Sequence, residues 1–454
     1  MKRLFGTDGI RGTAGVFPLD PPTVTRVGAA LARTLARKQP GPGAPRILVG
    51  RDTRESGDWI ERAIVSGARR AGAECLATGV IPTPGVAYLA RREGFAAGVM
   101  ISASHNPFRD NGIKVFSSSG YKLPDDEEAV IESMVLDPGS RLPDPEYAPP
   151  PAPTAPAGMV EHYTEFLRES VEPGTSFAGL RLVLDCANGA SSEIAPRIFR
   201  ALGAAVDTLF SNPDGRNINS GCGSLHPGGL GAAVVKKHAD LGIAFDGDAD
   251  RALFVAPDGR VADGDVLIYQ AAAWLKSKGR LPEDVVVTTV MSNLWLEQGL
   301  ADLGIRMLRA QVGDKYVLEE MLRTGAVLGG EQSGHIIFTD RATTGDGILT
   351  ALRLVEVLRA RGESVSDWIA RVKAFPQVLL NIRVSSRPDL ESHPVIGAEA
   401  ARVRRLLGAS GRLVLRYSGT EPLARVMIEA ADRGQVDVLS RGLADVIQSE
   451  IGER

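Results

Sequence analysis

Three aspartates fall within five residues at Asp246-Gly-Asp248-Ala-Asp250, and Arg251 follows directly. Carboxylates this close repel one another unless a cation sits among them, and an all-oxygen donor set favours Mg²⁺ or Ca²⁺ over softer metals. The calcium-loop reading fails on spacing. With Asp246 at its first position, an EF-hand would need glycine at Arg251 and a bidentate Glu at Pro257. Three carboxylates are too few for Ca²⁺ but suit one Mg²⁺ completed by a phosphate oxygen. The alternative is a solvated acidic turn. Against it stands the strand-like Gly242-Phe245, which feeds straight into the triplet.

Other loops carry complementary chemistry. Ser102-Ala-Ser104-His105-Asn106-Pro107 is a turn of small, hydrogen-bonding residues after an apolar run. A serine there is placed to carry a phosphoryl group, with backbone N–H groups free to approach its oxygens. Lys114 follows as a cation or proton carrier, and no GxSxG elbow points to a hydrolase. Gly330-Glu331-Gln-Ser333-Gly334-His335 offers an acceptor, a hydroxyl and an imidazole, a mixture suited to sugar hydroxyls and proton transfer. Arg416-Tyr-Ser418-Gly419-Thr420-Glu-Pro, with Arg425 beyond, reads as an anion cradle or as a β-turn with structural ion pairs. Gly6-Thr-Asp-Gly-Ile-Arg11-Gly12 sets one arginine in a glycine-rich turn. There is neither a P-loop lysine motif nor a GxGxxG after a strand.

The elements that must position these loops alternate. Arg46-Gly50, Leu180-Asp185 and Val285-Val290 are short apolar runs, each followed by a helical pattern, as buried parallel strands with crossover helices require. A weak repeat accompanies them. Gly98-Ile101, Leu241-Phe245 and Ala326-Leu328 each lead into one of the polar loops, so three loops are expected to wall one cleft. Eight prolines between Pro138 and Pro156 predict a linker. From about Ala374 the pattern changes to strands at Val378-Val384, Arg412-Tyr417 and Arg425-Ala430, with helices at Glu399-Leu407 and Val436-Ser449. The expected domains are 1–155, 156–256 and 257–370, all α/β, and an α+β domain at 371–454.

With 454 residues the chain is too long for a single core. A net charge of −3 argues against nucleic acid as a partner, which needs a basic surface. Three dispersed cysteines exclude a disulfide scaffold and a thiolate zinc site. No run reaches the roughly 20 apolar residues of a membrane span, and Gly6-Thr7-Asp8 interrupts any signal-like start. The expectation is a cytoplasmic protein without a membrane or nucleic-acid partner, monomer or homodimer.

In this order and wording the loops resemble the α-D-phosphohexomutase superfamily, over the whole chain. LFGTDGIRG at 4–12, ISASHNP with DNGIKVFS across 101–117 and NINSGCGS at 217–224 carry the likeness. GEQSGH from Gly330 and RYSGTEPLARVM from Arg416 carry it further, toward the branch acting on glucosamine phosphates. Branches acting on mannose or glucose phosphates tend to have a His where Val312-Gly-Asp314-Lys315 stands here, so no His role transfers to that loop. The resemblance implies four domains around a central cleft, three α/β domains of similar topology with mixed sheets and a C-terminal α+β domain. It also implies conversion of glucosamine 6-phosphate to glucosamine 1-phosphate through a 1,6-bisphosphate of glucosamine or glucose. Ser104 would be the phosphoserine and, with Asp246, Asp248 and Asp250, a ligand of one Mg²⁺. Arg11 and Arg251 would lie near the transferred phosphoryl, and Lys114 and His335 would carry protons. His105, Glu331 and Ser333 would contact the sugar phosphate, while Arg416, Ser418, Gly419, Thr420 and Arg425 would hold the phosphate that is not reacting. The rivals are a mutase for glucose or mannose phosphates, with the same chemistry, and a non-catalytic sugar-phosphate sensor.

Overall fold

The computed structural model describes residues 4–6, 8–38, 43–146, 149–418 and 422–453. Gly419 and Thr420 of the expected anion cradle therefore lie outside the described residues. The chain divides into two compact units, one of residues 1–289 and 308–370, the other of 290–307 and 371–454. Among the described residues no helix is long and apolar enough to cross a membrane.

The first unit repeats one device three times. In the first sheet Arg46–Arg51 runs parallel to Glu74–Val80 on one side and to Ala97–Ile101 on the other, and Asp110–Ser117 returns antiparallel beside Ala97–Ile101. In the second, Arg181–Asp185 lies between the parallel strands Ala205–Leu209 and Leu241–Phe245, and Ala252–Val255 returns antiparallel. In the third, Val285–Thr289 and Leu328–Gly330 are parallel and Ile336–Phe338 returns antiparallel. The strands Ala97–Ile101 and Leu241–Phe245 are buried along their whole length, which accounts for their continuous apolar runs. The serine, aspartate and Glu331–His335 loops are each the turn between the last parallel strand and its antiparallel return. A short turn is forced there, so it cannot wander far from the sheet end.

The proline-rich segment is strapped to the first sheet's domain. Ala77 N donates to Pro153 O and Ala155 N to Ala77 O, so the segment bridges the edge strand Glu74–Val80. Arg26 and Arg33 donate to the carbonyls of Val135, Asp137, Ser140 and Arg141. Proline cannot complete a ladder, but it suits an edge that needs only isolated bonds.

The second unit has an antiparallel sheet ordered Gln377–Arg383, Leu423–Ala430, Gly411–Tyr417. The helices Pro394–Leu407 and Arg433–Ile451 contribute to its single core. The first helix begins five residues before the expected Glu399, because His393 Nδ1 accepts from Ile396 N as its cap. Residues 290–307 join this unit through Arg412, which donates to the carbonyls of Val290 and Ser292.

In the first domain, helices Pro21–Lys38 and Gly57–Arg70 cross at two glycines. A Cβ on Gly28 would overlap the carbonyl of Ile64, and one on Gly67 would overlap the carbonyl of Thr25. Backbone cannot yield there as a side-chain tip would. Gly28→Ala is expected to destabilise the protein by about 1–3 kcal/mol. The urea midpoint should fall, and an unchanged midpoint would mean the helices slide apart freely.

Candidate active site

The serine turn and the aspartate turn meet. Ser104 Oγ donates to Asp246 Oδ2 at 2.6 Å, although 142 positions separate them. Ser104 is 1% exposed and has φ 51°. A serine in the left-handed region costs on the order of 1–3 kcal/mol, so the surroundings must hold it there. In the opposing turn Ala249 has φ 57°, folding Asp246, Asp248 and Asp250 back on one another. One oxygen from each of these buried carboxylates lies within 4.8 Å of the others.

Loops of all three sheets fasten the aspartate turn. Thr83 N donates to Asp248 O (3.0 Å) and Thr83 Oγ1 to Asp248 Oδ2 (2.5 Å). Gly347 N donates to Ala249 O (2.9 Å), and Ala252 N to Gly334 O (3.1 Å) in the Glu331–His335 turn. The expected convergence of three loops is thus built from main-chain bonds, with the strongly charged side chains left to face one another.

The charges have partners of opposite sign. Lys114 Nζ lies 2.9 Å from Asp248 Oδ2, 3.5 Å from Asp250 Oδ2 and 3.4 Å from Asp8 Oδ2. Burial alone would lower the Lys114 pKa, but Asp248, Asp8 and Asp250 together raise it. Asp246 is raised well above the ordinary carboxylate range by burial and then by Asp250 and Asp248. Asp250 is burdened by the same burial, yet Lys114 and His335 hold it well below that range. His105 Nδ1 is 3.3 Å from Ser104 Oγ, and burial, followed by Arg251 and Arg11, pushes its pKa down to about 4. It therefore stands beside the serine as a neutral ring.

His335 is raised to about 9: burial would lower it, but Asp250, at 3.6 Å, and Asp314, at 3.7 Å, outweigh that. Gly345 N nevertheless donates to Nε2 at 3.2 Å, which demands a lone pair there and leaves the ring proton on Nδ1, toward Asp250. The neutral ring fits that bond, and neutralisation of Asp250 would remove much of the upward pull. Glu331 Oε1 accepts from Gly313 N at 3.1 Å, and Ser333 is exposed on the same turn.

The donor set passes the test for a hard cation beside an anion. Among the described residues, Asp248 Oδ1 and Asp250 Oδ1 are buried acceptors without a hydrogen-bond partner, and Arg11 Nε and Arg251 Nε are buried donors without one. Asp250 Oδ1 and Arg251 Nε attract each other only at ion-pair distance, 3.8 Å, so carboxylate oxygens and guanidinium N–H groups short of hydrogen bonds match a divalent metal and a phosphoryl group respectively.

In the second unit, Arg416 and Arg425 are directly paired on adjacent antiparallel strands. Burial and then Arg425 lower the Arg416 pKa. Like charges directly opposite one another on a sheet repel, and a cross-strand pair of arginines matches an anion in charge. Ser418 is buried at the head of the turn, where its N donates to Leu423 O.

Several residues of the site were not singled out from sequence. Asp8 accepts from Arg11 and Lys122, and Lys122 Nζ donates to Asp314 Oδ2 at 2.5 Å. Thr83 and Gly345 join the aspartate and histidine turns as described above. Asp8 lay inside the quoted GTDGIRG turn, and Thr83 between two prolines at a helix start, a hint of a fixed backbone. Nothing local marks Lys122 or Gly345.

Four domain families match the chain in order. They are phosphoglucomutase/phosphomannomutase alpha/beta/alpha domain I over residues 2–140, domain II over 161–259, domain III over 263–375 and the C-terminal domain over 379–446. The chain belongs to the phosphoglucomutase/phosphomannomutase family. Within it, the chain is 50% identical over 453 residues to the phosphoglucosamine mutase of Solibacter usitatus, covering 100% of both chains. It is also 50% identical to the phosphoglucosamine mutase of Koribacter versatilis, covering 100% of this chain and 98% of that one. A phosphoglucomutase/phosphomannomutase family protein from Burkholderia thailandensis has the same fold, with a TM-score of 0.80 at 23% identity and 99% of each chain covered.

A Cβ on Gly345 would lie 2.6 Å from two His335 ring carbons. Gly345→Ala is therefore expected to displace the imidazole and lower phosphohexomutase turnover by about 100-fold, with little loss in melting temperature. Full turnover in that variant would remove His335 from the reaction.

Proposed function

We propose that the chain is an isomerase interconverting glucosamine 6-phosphate and glucosamine 1-phosphate, with Ser104 as the phosphoryl carrier and the 1,6-bisphosphate as intermediate. One observation carries the reading: Ser104 Oγ is held 2.6 Å from the buried aspartate cluster, beside unsatisfied arginine donors. The identity to phosphoglucosamine mutases over the full length supports the amino-sugar substrate.

Asp246, Asp248, Asp250 and the phosphorylated Ser104 would hold one Mg²⁺, which when bound supplies charge neutralisation on the transferring group. The rest is positioning by the chain. Arg11 and Arg251 take the phosphoryl oxygens, their Nε groups having no hydrogen bond to give up as charge grows in transit. His105, a neutral ring beside Ser104 Oγ, can contact the same phosphate. Lys114 and His335 serve the sugar hydroxyl that loses or regains its proton. In the first step the phosphoryl leaves Ser104 Oγ for O1 of the 6-phosphate, and the O1 proton passes through the enzyme to Ser104 Oγ. In the second, Ser104 Oγ takes the 6-phosphoryl and its proton passes through the enzyme to O6. Glu331 and Ser333 bind sugar hydroxyls. Arg416, Ser418, Gly419, Thr420 and Arg425 bind the phosphate of the ligand that is not reacting.

A coupled assay on the 6-phosphates of glucosamine, glucose and mannose tests the reading. Glucosamine 6-phosphate should turn over fastest, and Ser104→Ala should lose about 10³-fold or more. An active Ser104→Ala enzyme would refute the carrier. A preference for mannose or glucose would reassign the substrate alone.

A further inference from the structure

Ser104 is held at a positive φ by hydrogen bonds that converge on one buried ion pair. Arg54 is 1% exposed, and all five of its N–H groups are used. Nε donates to Asp52 Oδ2 at 2.8 Å, one terminal nitrogen to the carbonyls of Pro107 and Asp110, and the other to those of Ser104 and Asn106 at 2.9 Å each. Asp52, fully buried, also accepts from Ser102 Oγ at 2.6 Å, and Ser102 Oγ in turn accepts from Ser104 N at 2.9 Å. Both main-chain polar groups of Ser104 thus trace to Asp52 and Arg54, the carbonyl directly and the N–H through Ser102.

The same segment is tied to the second sheet's loops. Thr53 Oγ1 donates to Asn188 O at 2.6 Å and Glu55 N to Gly215 O at 2.9 Å. From that side Asn219 Nδ2 reaches back to the carbonyls of Ser104 (2.9 Å) and Asn106 (3.1 Å). Residues 52–55 therefore set the shape of the serine turn and its register against the aspartate turn.

We propose that Asp52 and Arg54 are positioning residues for phosphoryl transfer, a clamp that aims Ser104 Oγ at the metal carboxylates. The inference rests on Ser104 being the carrier. Neither residue touches the reacting atoms. A lysine offers one ammonium in place of a five-donor fork, so it cannot gather carbonyls from four residues of one turn.

The test is single-turnover phosphorylation of Ser104 by glucosamine 1,6-bisphosphate in wild type, Arg54→Lys and Ser102→Ala. Steady-state kinetics and Mn²⁺ affinity are measured on the same proteins. Arg54→Lys should slow transfer by about 100-fold, the loss expected of an ångström-scale misplacement. Ser102→Ala, which breaks only the link to Ser104 N, should slow it by about 10-fold. In both variants KM for glucosamine 6-phosphate and the Mn²⁺ affinity should stay within about twofold. Transfer at the wild-type rate in Ser102→Ala and Arg54→Lys overturns the clamp. So does a fall in Mn²⁺ affinity that parallels the rate, because a collapsed site would then explain both. If Arg54→Lys does not fold, the result for Ser102→Ala decides alone. If wild type itself takes no phosphate on Ser104, the carrier assignment falls first and the clamp with it.

Discussion

Mutual repulsion among Asp246, Asp248 and Asp250 is the constraint on which the site depends. Two unit charges about 5 Å apart repel by about 3 kcal/mol at an effective dielectric near 20, and here three such pairs are gathered in a buried pocket. The protein meets this partly with Lys114 and Arg251, and the repulsion that is left, with burial, raises the pKa of Asp246. The compensation is incomplete, since two carboxylate oxygens are left without a hydrogen-bond partner among the described residues. A fold would not bury such a cluster for stability, because apolar packing would serve better.

Holding the cluster together takes rigid backbone on every side. Each of three similar sheets delivers its loop at the same structural point, the turn into the antiparallel return strand. Main-chain bonds from Thr83, Gly347 and Ala252 then lock the loops to one another. Strain accumulates at the turns themselves, where Ser104 and Ala249 adopt positive φ. The site is thus the place where local preference is overruled by tertiary bonds.

The strands and the three chemical loops were legible because their signals are local: continuous apolar runs, an acidic triplet, a small-residue turn with proline. That the sheets are mixed follows from the family resemblance, whereas which strand turns back was hidden, since nothing in Asp110–Ser117 or Ile336–Phe338 distinguishes a returning strand from a parallel one. The proline-rich segment read as a linker because composition reports what a segment cannot form, not what it leans on. Lys122 and Asp314 form a pair 192 residues apart, and only the fold brings them together. Gly345 is informative only once His335 is known to lie against it.

The central claim is that the buried carboxylates are assembled to be joined by a divalent cation. Calorimetric titration of Mg²⁺ into metal-free wild type and Asp246→Asn tests it most directly. The account predicts one ion bound by wild type and a loss of at least about tenfold in affinity in the variant, where a neutral amide replaces a ligand of nearly the same shape. Wild type that binds no Mg²⁺, or a variant that binds it equally well, would contradict the account.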